Sequence, residues 1–129
     1  MIRIRTVGPS EMDTAKDLIR AVFPDAMVQV SDEDTVLIAE EDGKAVGFAH
    51  IIEFDDRIFL QGIGVDSSIR GQGVGTLLLE QVLYMFEDAD RPIYLKVKVM
   101  NPVIDLYARY GFFLQKFGDA HVLVKKPNS

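Results

Sequence analysis

Apolar and polar residues follow two different periods along this chain, and the period changes several times. Short apolar or alternating runs predict strands at residues 2–7, 35–39, 45–54, 57–65, 93–100, 112–117 and 121–125. Apolar residues at helical spacing, or Pro and Gly at the ends of a segment, predict helices at residues 12–23, 25–30, 73–86 and 102–110. Ser10 precedes the first helix as a capping residue. The predicted order is β-α-α-β-β-β-α-β-α-β-β.

Short turns between the middle strands predict how the sheet is built. Asp42-Gly43 is the central pair of a tight hairpin, and Asp55-Asp56 forms a second turn. The three strands around these turns form an antiparallel meander. If the following helix is a right-handed crossover, the strand at 93–100 lies parallel to the one at 57–65. The predicted fold class is therefore α/β, with a mixed and mostly antiparallel sheet, one parallel pair and about four flanking helices.

The stretch from 63 to 79, IGVDSSIRGQGVGTLLL, is the most informative part of the chain. It passes from a strand end through a polar turn into glycines at positions 71, 73 and 75, and then directly into an amphipathic helix. Glycines at a helix start let the backbone approach a ligand and leave N–H groups unpaired. These donors and the helix dipole favour an anion, most often a pyrophosphate.

Two common phosphate-binding patterns do not fit this stretch. A dinucleotide-binding G-x-G-x-x-G pattern read from Gly71 needs glycine where Thr76 stands. A P-loop needs a lysine at the helix start, but no lysine lies between Lys44 and Lys96. A surface turn that merely caps a helix stays an open alternative.

Two motifs together resemble a known family. Arg70-x-x-Gly73-x-Gly75, preceded by a strand end, resembles the acetyl-coenzyme A signature of the GNAT superfamily of N-acetyltransferases. Further along, Asn101 follows a predicted strand and residues 106–112 read Leu-Tyr-x-x-x-Gly-Phe, with Tyr107 as the tyrosine. Two motifs in this order are more specific than either one alone. Only these motifs are specific, although the predicted architecture agrees over almost the whole chain.

The resemblance implies a GNAT-type fold in which the parallel pair splays apart and the pantetheine arm of acetyl-CoA lies in the gap. It implies a cofactor site formed by Ile63, Gly64, Val65, Arg70, Gly71, Gln72, Gly73, Val74, Gly75, Thr76 and Asn101. It also implies a backbone oxyanion donor near Val65, with Tyr107 as the acid that protonates the departing sulfur. Alternatively, Tyr107 is a packing aromatic, Arg70 lies on the surface and Asn101 is a helix cap.

The general base is left open by the sequence. Some members of the superfamily carry a glutamate early in the cofactor strand, but this chain has Ile58, Phe59 and Leu60 there. The candidates are His50, Glu53, Asp55, Asp56 or a water chain. The missing glutamate keeps a second function in view, a non-catalytic acyl-CoA-binding sensor or regulatory module.

Composition narrows the remaining choices. The length of 129 residues suits a single domain over 1–129. The chain has no cysteine and its histidines do not show metal-ligand spacing, so no metal is expected. The net charge of −6 argues against nucleic acid and favours an amine acceptor, either a small molecule or a peptide.

No signal peptide or membrane span is predicted, which favours the cytoplasm. The strand at 121–125, interpreted as a sheet edge, leaves a homodimer open. The resemblance places Phe23, Met27, Phe113 and Phe117 at the acceptor site.

Overall fold

The computed structural model describes residues 1–22, 30–69, 72–98, 103–116 and 120–127. These residues form one seven-stranded sheet and three α-helices. The strands are β1 (Ile2–Thr6), β2 (Thr35–Glu41), β3 (Lys44–Glu53), β4 (Ile58–Val65), β5 (Ile93–Lys98), β6 (Phe113–Lys116) and β7 (Ala120–Lys125). The helices are α1 (Met12–Val22), α2 (Val74–Met85) and α3 (Val103–Arg109).

The sheet has the order β1-β2-β3-β4-β5-β7-β6. Neighbouring strands are antiparallel except β4 and β5, which run parallel because α2 crosses between them. The predicted mixed sheet with one parallel pair is therefore confirmed. The predicted Asp42-Gly43 turn is also confirmed, since both residues have positive φ, at 52° and 80°. Positive φ at both central positions is the requirement of a type I′ hairpin.

The two faces of the sheet bury separate groups of apolar side chains. Leu37 and Ala39 of β2 belong to a large core cluster that includes Leu78 and Val82 of α2. Val36 and Ile38, which alternate with them along the strand, belong to a smaller cluster formed with α1. Because successive residues of a strand point to opposite faces, α2 and α1 cover opposite sides of the sheet. We call the side of the sheet covered by α2 the α2 face and the side covered by α1 the α1 face.

The helices differ from the prediction in two respects. The first helix begins at Met12, because Pro9–Glu11 forms a 3-10 turn that includes the expected cap, Ser10. The described residues contain three α-helices, whereas about four were predicted. Of the missing helix, residues 25–29 lie outside the described residues and Val30 has no helical structure. No helix within the described ranges is both long enough and apolar enough to cross a membrane.

The edge strand was predicted wrongly. β7, at residues 120–125, lies between β5 and β6 and pairs with both of them. The exposed edge is β6, where Phe113 and Leu114 are 45% and 39% exposed. Leu123 and Val124 of β7 are each only 3% exposed, so the more completely apolar strand occupies the interior of the sheet. The preceding strand β6 pairs antiparallel with the other side of β7 and so lies at the edge.

Candidate active site

A gap opens between β4 and β5 over most of their length. Their pairing is limited to Ile58 with Ile93 and Phe59 with Tyr94. Within the described parts of the two strands, β4 continues to Val65 without a further partner in β5. One edge of β4 is paired with β3, and the other faces the gap. A ligand with an extended chain can enter there as an additional strand.

A bulge in β4 begins where the gap opens. His50 pairs with Gly62 and Ile51 pairs with Leu60, so Gln61 is an extra residue on β4. A bulge bends its strand and increases the local twist, which accounts for the loss of pairing with β5. Gly62 adds space here, because a side-chain carbon built on it would have no atom of the described ranges within 4 Å.

The start of α2 offers unpaired backbone donors. Gly73 is the N-cap residue with φ 81° and ψ 11°, and no side chain of the described residues forms a capping hydrogen bond with the helix. The first turn carries no acidic residue. The first intrahelical bond runs from the N–H of Leu77 to the carbonyl of Gly73, at 3.0 Å. The earlier N–H groups of a helix have no intrahelical acceptor, so those of Val74, Gly75 and Thr76 point beyond the helix end, where they can bind an anion.

The end of β4 and the start of α2 are held close together. A side-chain carbon built on Gly75 would lie 3.7 Å from Cγ2 of Val65, at ordinary van der Waals distance. Between these two residues, Asp66 accepts hydrogen bonds from both the backbone N–H and the hydroxyl of Ser68, at 2.9 and 2.8 Å. The side chain of Asp66 therefore fixes the turn that leads from the gap to the helix.

Gly47 of β3 supports this arrangement, and the sequence analysis did not identify it. A side-chain carbon there would lie 3.0 Å from the carbonyl oxygen of Gly64 and 3.2 Å from side-chain carbons of Val74 and Leu78. Only glycine lets α2 pack this closely on the sheet. A glycine inside a strand was the available signal, since it often marks a close approach of another backbone.

Replacement of Gly47 by Ala is expected to lower the free energy of unfolding by about 1–3 kcal/mol, the usual range for overpacking a core. Urea denaturation measures the effect. Gly62→Ala is the matched control, because it places the same methyl group in open space and should change stability little. Equal stability of the two variants would contradict the proposed close contact.

Tyr107 is fixed by the way α3 ends. Gly111 has φ 95°, and its N–H donates to the carbonyl of Ala108 at 3.2 Å. The N–H of Phe112 donates to the carbonyl of Tyr107, also at 3.2 Å. These two bonds form a Schellman motif, which requires a residue such as glycine in the left-handed region. The rings of Tyr107 and Phe112 pack edge to face, with centroids 5.6 Å apart. The Gly-Phe pair of the motif therefore orients the tyrosine.

The surroundings of the two tyrosines on this segment differ. Tyr107 packs against the large core on the α2 face, to which Ile63 and Val65 also belong, and burial raises the pKa of its phenol. Burial also raises the pKa of Tyr110, and a hydrogen bond to Glu80 of α2 adds to the effect. The phenol of Tyr110 is thus engaged by a carboxylate, which favours Tyr107 as the proton donor.

Three of the four candidate bases lie at the wrong end of the sheet. Glu53 pairs with Ile58, four residues before Gly62, or about 13 Å along the strand. It forms an ion pair with Arg91 at 3.0 Å. Asp55 and Asp56 are exposed residues of the turn beyond Glu53. His50, by contrast, pairs directly with Gly62 beside the gap.

The structure places most of the predicted cofactor residues around one location. Ile63, Gly64 and Val65 line β4 where the gap is open, and residues 72–76 form the start of α2 beside them. Arg70, Gly71 and Asn101 lie outside the described residues. The same holds for Phe23, Met27 and Phe117 of the expected acceptor site, while Phe113 lies on the edge strand β6.

Comparison with known proteins agrees with this geometry. The sequence model of the acetyltransferase (GNAT) family matches residues 6–112. No curated protein sequence matches the chain.

Solved structures show the same fold at low sequence identity. The ribosomal-protein-S18-alanine N-acetyltransferase of Escherichia coli has a TM-score of 0.82 and 20% identity, with 100% of this chain and 96% of that chain covered. An Arabidopsis thaliana protein in complex with the bisubstrate analogue CoA-Ac-MVNAL has a TM-score of 0.77 and 20% identity, with coverage of 97% and 98%. The PaiA N-acetyltransferase of Thermoplasma acidophilum, in complex with coenzyme A, has a TM-score of 0.75 and 16% identity, with coverage of 98% and 99%.

Proposed function

Because the chain belongs to the GNAT family of acetyltransferases, we propose that it transfers the acetyl group of acetyl-CoA to a primary amine by direct attack in a ternary complex. One observation carries the proposal: the open edge of β4 meets the uncapped start of α2 at Val65 and Gly75. An extended acyl-pantetheine chain and a pyrophosphate need these two features side by side.

The donor substrate is bound in two parts. The backbone of Ile63 to Val65 lines the pantetheine arm along the gap, and the N–H groups of Val74, Gly75 and Thr76 surround the pyrophosphate. The hydroxyl of Thr76 adds one further donor. Arg70, Gly71, Gln72 and Asn101 complete the proposed site by family resemblance. In this arrangement the thioester lies beside the bulge, where the two strands separate.

Acetyl transfer has three chemical requirements. A neutral amine must attack the thioester carbon, a donor must stabilise the oxygen as it becomes negative, and the departing sulfur must gain a proton. Family resemblance assigns the oxygen contact to a backbone N–H near Val65. Tyr107 supplies the proton, and burial of its phenol keeps it protonated at neutral pH. No metal takes part in this scheme.

An alternative function is a non-catalytic acyl-CoA sensor. The apolar residues Ile58, Phe59 and Leu60 favour it, because they stand where some members of the superfamily carry a glutamate. A sensor needs the cofactor site but neither the proton donor nor an acceptor site. The enzyme and the sensor are therefore distinguished by turnover and not by binding.

Thiol release from acetyl-CoA, followed with a thiol reagent, tests the proposal directly. The chain contains no cysteine, so the protein contributes no background. Peptides with a free N-terminal amine belong first in the panel, followed by lysine peptides, polyamines, amino acids and amino sugars. Amine-dependent release is expected. Tight binding of acetyl-CoA without release on any amine would favour the sensor.

A further inference from the structure

A buried imidazole next to the gap has no role in the scheme above. His50 of β3 is only 1% exposed and is the buried polar side chain of the described core. Its Nε2 lies 2.8 Å from Oδ2 of Asp34, whose side chain is 10% exposed. Sequence reasoning named His50 but missed Asp34, because 16 residues separate the two and only the pairing of β2 with β3 brings them together.

The hydrogen bond to Asp34 determines which nitrogen of His50 carries the free lone pair. An ionised carboxylate can only accept hydrogen bonds, so Nε2 must carry the ring proton and donate the hydrogen bond to Asp34. In the neutral imidazole, Nδ1 is then the basic nitrogen. Nδ1 is buried and has no hydrogen-bond partner in the part of the chain that the structure describes. A buried polar atom without a partner is uncommon in a folded protein and calls for an explanation.

The residue opposite His50 leaves room for a ligand. Gly62 pairs with His50 across the antiparallel β3–β4 ladder, and directly opposed residues point to the same face. That face is the α1 face, because Val36 pairs with His50 and belongs to the α1 cluster. The missing side chain of Gly62 leaves open space there, at the level of the bulge. A small group that occupies the position of the missing side chain would lie about 5 Å from Cβ of His50, within reach of its ring.

We propose that the acceptor amine binds in the space beside Gly62 and that His50, oriented by Asp34, is the general base. This inference rests on the proposed function. The donor is held at the start of α2, which packs on the opposite face of the sheet, so the two substrates approach the gap from different sides. Among the described residues, Asp34 is the charged group in contact with the imidazole.

The proton balance of this step is complete. Nδ1 takes a proton from the acceptor ammonium and becomes an imidazolium paired with the carboxylate of Asp34. The neutral amine forms the C–N bond, the C–S bond breaks, and the sulfur receives a proton from Tyr107. The proton on His50 and the proton lost by the amide nitrogen leave to solvent and to the phenolate. The net products are the acetylated amine, coenzyme A as its thiol, and one proton.

The test uses variants of His50 and Asp34 with the amine that the parent protein acetylates best. His50→Gln should lower kcat/KM about a hundredfold at pH 7, and Asp34→Asn at least tenfold, within the usual range for a general base. The deficit should shrink as the pH approaches the pKa of the amine, because more amine is then already neutral. A deficit that stays constant with pH, or an unchanged rate, would overturn the assignment. Asp56→Asn, in the distant turn, is the control and should match the parent.

The location of the amine is tested separately. Gly62→Leu fills the open space and should raise KM for the amine at least tenfold while the affinity for acetyl-CoA stays the same. Parent-like turnover in folded Gly62→Leu would place the acceptor elsewhere. Thermal unfolding of each variant excludes a general loss of fold.

A readout without turnover separates this inference from the proposed function. The ¹⁵N spectrum of the neutral His50 ring should show the proton on Nε2, and His121→Gln identifies the signals. A proton on Nδ1 would overturn the assignment of the base even in an active enzyme. If the parent released no thiol with any amine, the proposed function itself would fail. If the parent were active and His50→Gln equally so, only the base would be wrong.

Discussion

Replacement of Gly73 by Glu is expected to abolish acetyl-CoA binding, with a loss of affinity of at least a hundredfold. Gly73 caps α2 with φ 81°, and it is exposed next to the N–H groups proposed to hold the pyrophosphate. A glutamate there brings a negative charge against a dianion at the positive end of a helix. At about 4 Å, two like charges near a protein surface repel by about 4 kcal/mol. A hundredfold loss of affinity corresponds to only about 2.7 kcal/mol, so the repulsion is large enough to cause it.

The matched control for this prediction is Gly73→Gln. Any non-glycine residue at this φ costs about 1–2 kcal/mol, and both variants share that cost. No atom of the described residues lies within 4 Å of the position where the side chain begins, so neither variant clashes with that part of the chain. The difference between them in calorimetric titration with acetyl-CoA therefore reports the charge alone. It should diminish in high salt, as screening requires. Unchanged affinity in folded Gly73→Glu would reject the site.

Local sequence chemistry predicted most of the fold and named the residues of the proposed donor site. The Asp42-Gly43 turn, Gly73 at the start of α2 and Gly111 at the end of α3 each act through their own backbone conformation. Such features leave a signal within a few residues, which explains why strand order along the chain, the parallel pair and the start of α2 could be predicted.

Features that depend on strand register could not be predicted. The bulge at Gln61, the place of β7 inside the sheet and the contact between His50 and Asp34 all depend on which residues face each other across strands. Sequence reasoning therefore treated His50 and Asp56 as equivalent candidates for the base. The register separates them, because it places His50 opposite Gly62 beside the gap, whereas Asp56 lies in the turn beyond the paired ends of β3 and β4.

The two faces of the sheet suggest a division of labour between the substrates. Helix α2, the proposed phosphate-binding helix, and Tyr107 pack on the α2 face, whereas His50 points to the α1 face. The proposed proton donor for sulfur and the proposed proton acceptor for nitrogen therefore lie on opposite faces of the sheet. This separation follows from the alternation of side chains in strands on the two sides of one gap.

Tyr107→Phe is expected to lower kcat at least a hundredfold while leaving the affinity for acetyl-CoA and the stability of the fold nearly unchanged. Without a donor the sulfur must leave as a thiolate, whose ordinary thiol pKa is about 8.5, and general acids contribute about 10²–10⁴ in rate. Phenylalanine keeps the edge-to-face contact with Phe112 and removes only the hydroxyl. Because burial raises the pKa of Tyr107, the parent rate should fall only at a pH above the ordinary phenol value of about 10. Steady-state thiol release against pH measures both effects.

Tyr110→Phe is the control, since that phenol is hydrogen-bonded to Glu80, and its rate should equal the parent's. A Tyr107→Phe enzyme as fast as the parent would show that another group protonates the sulfur.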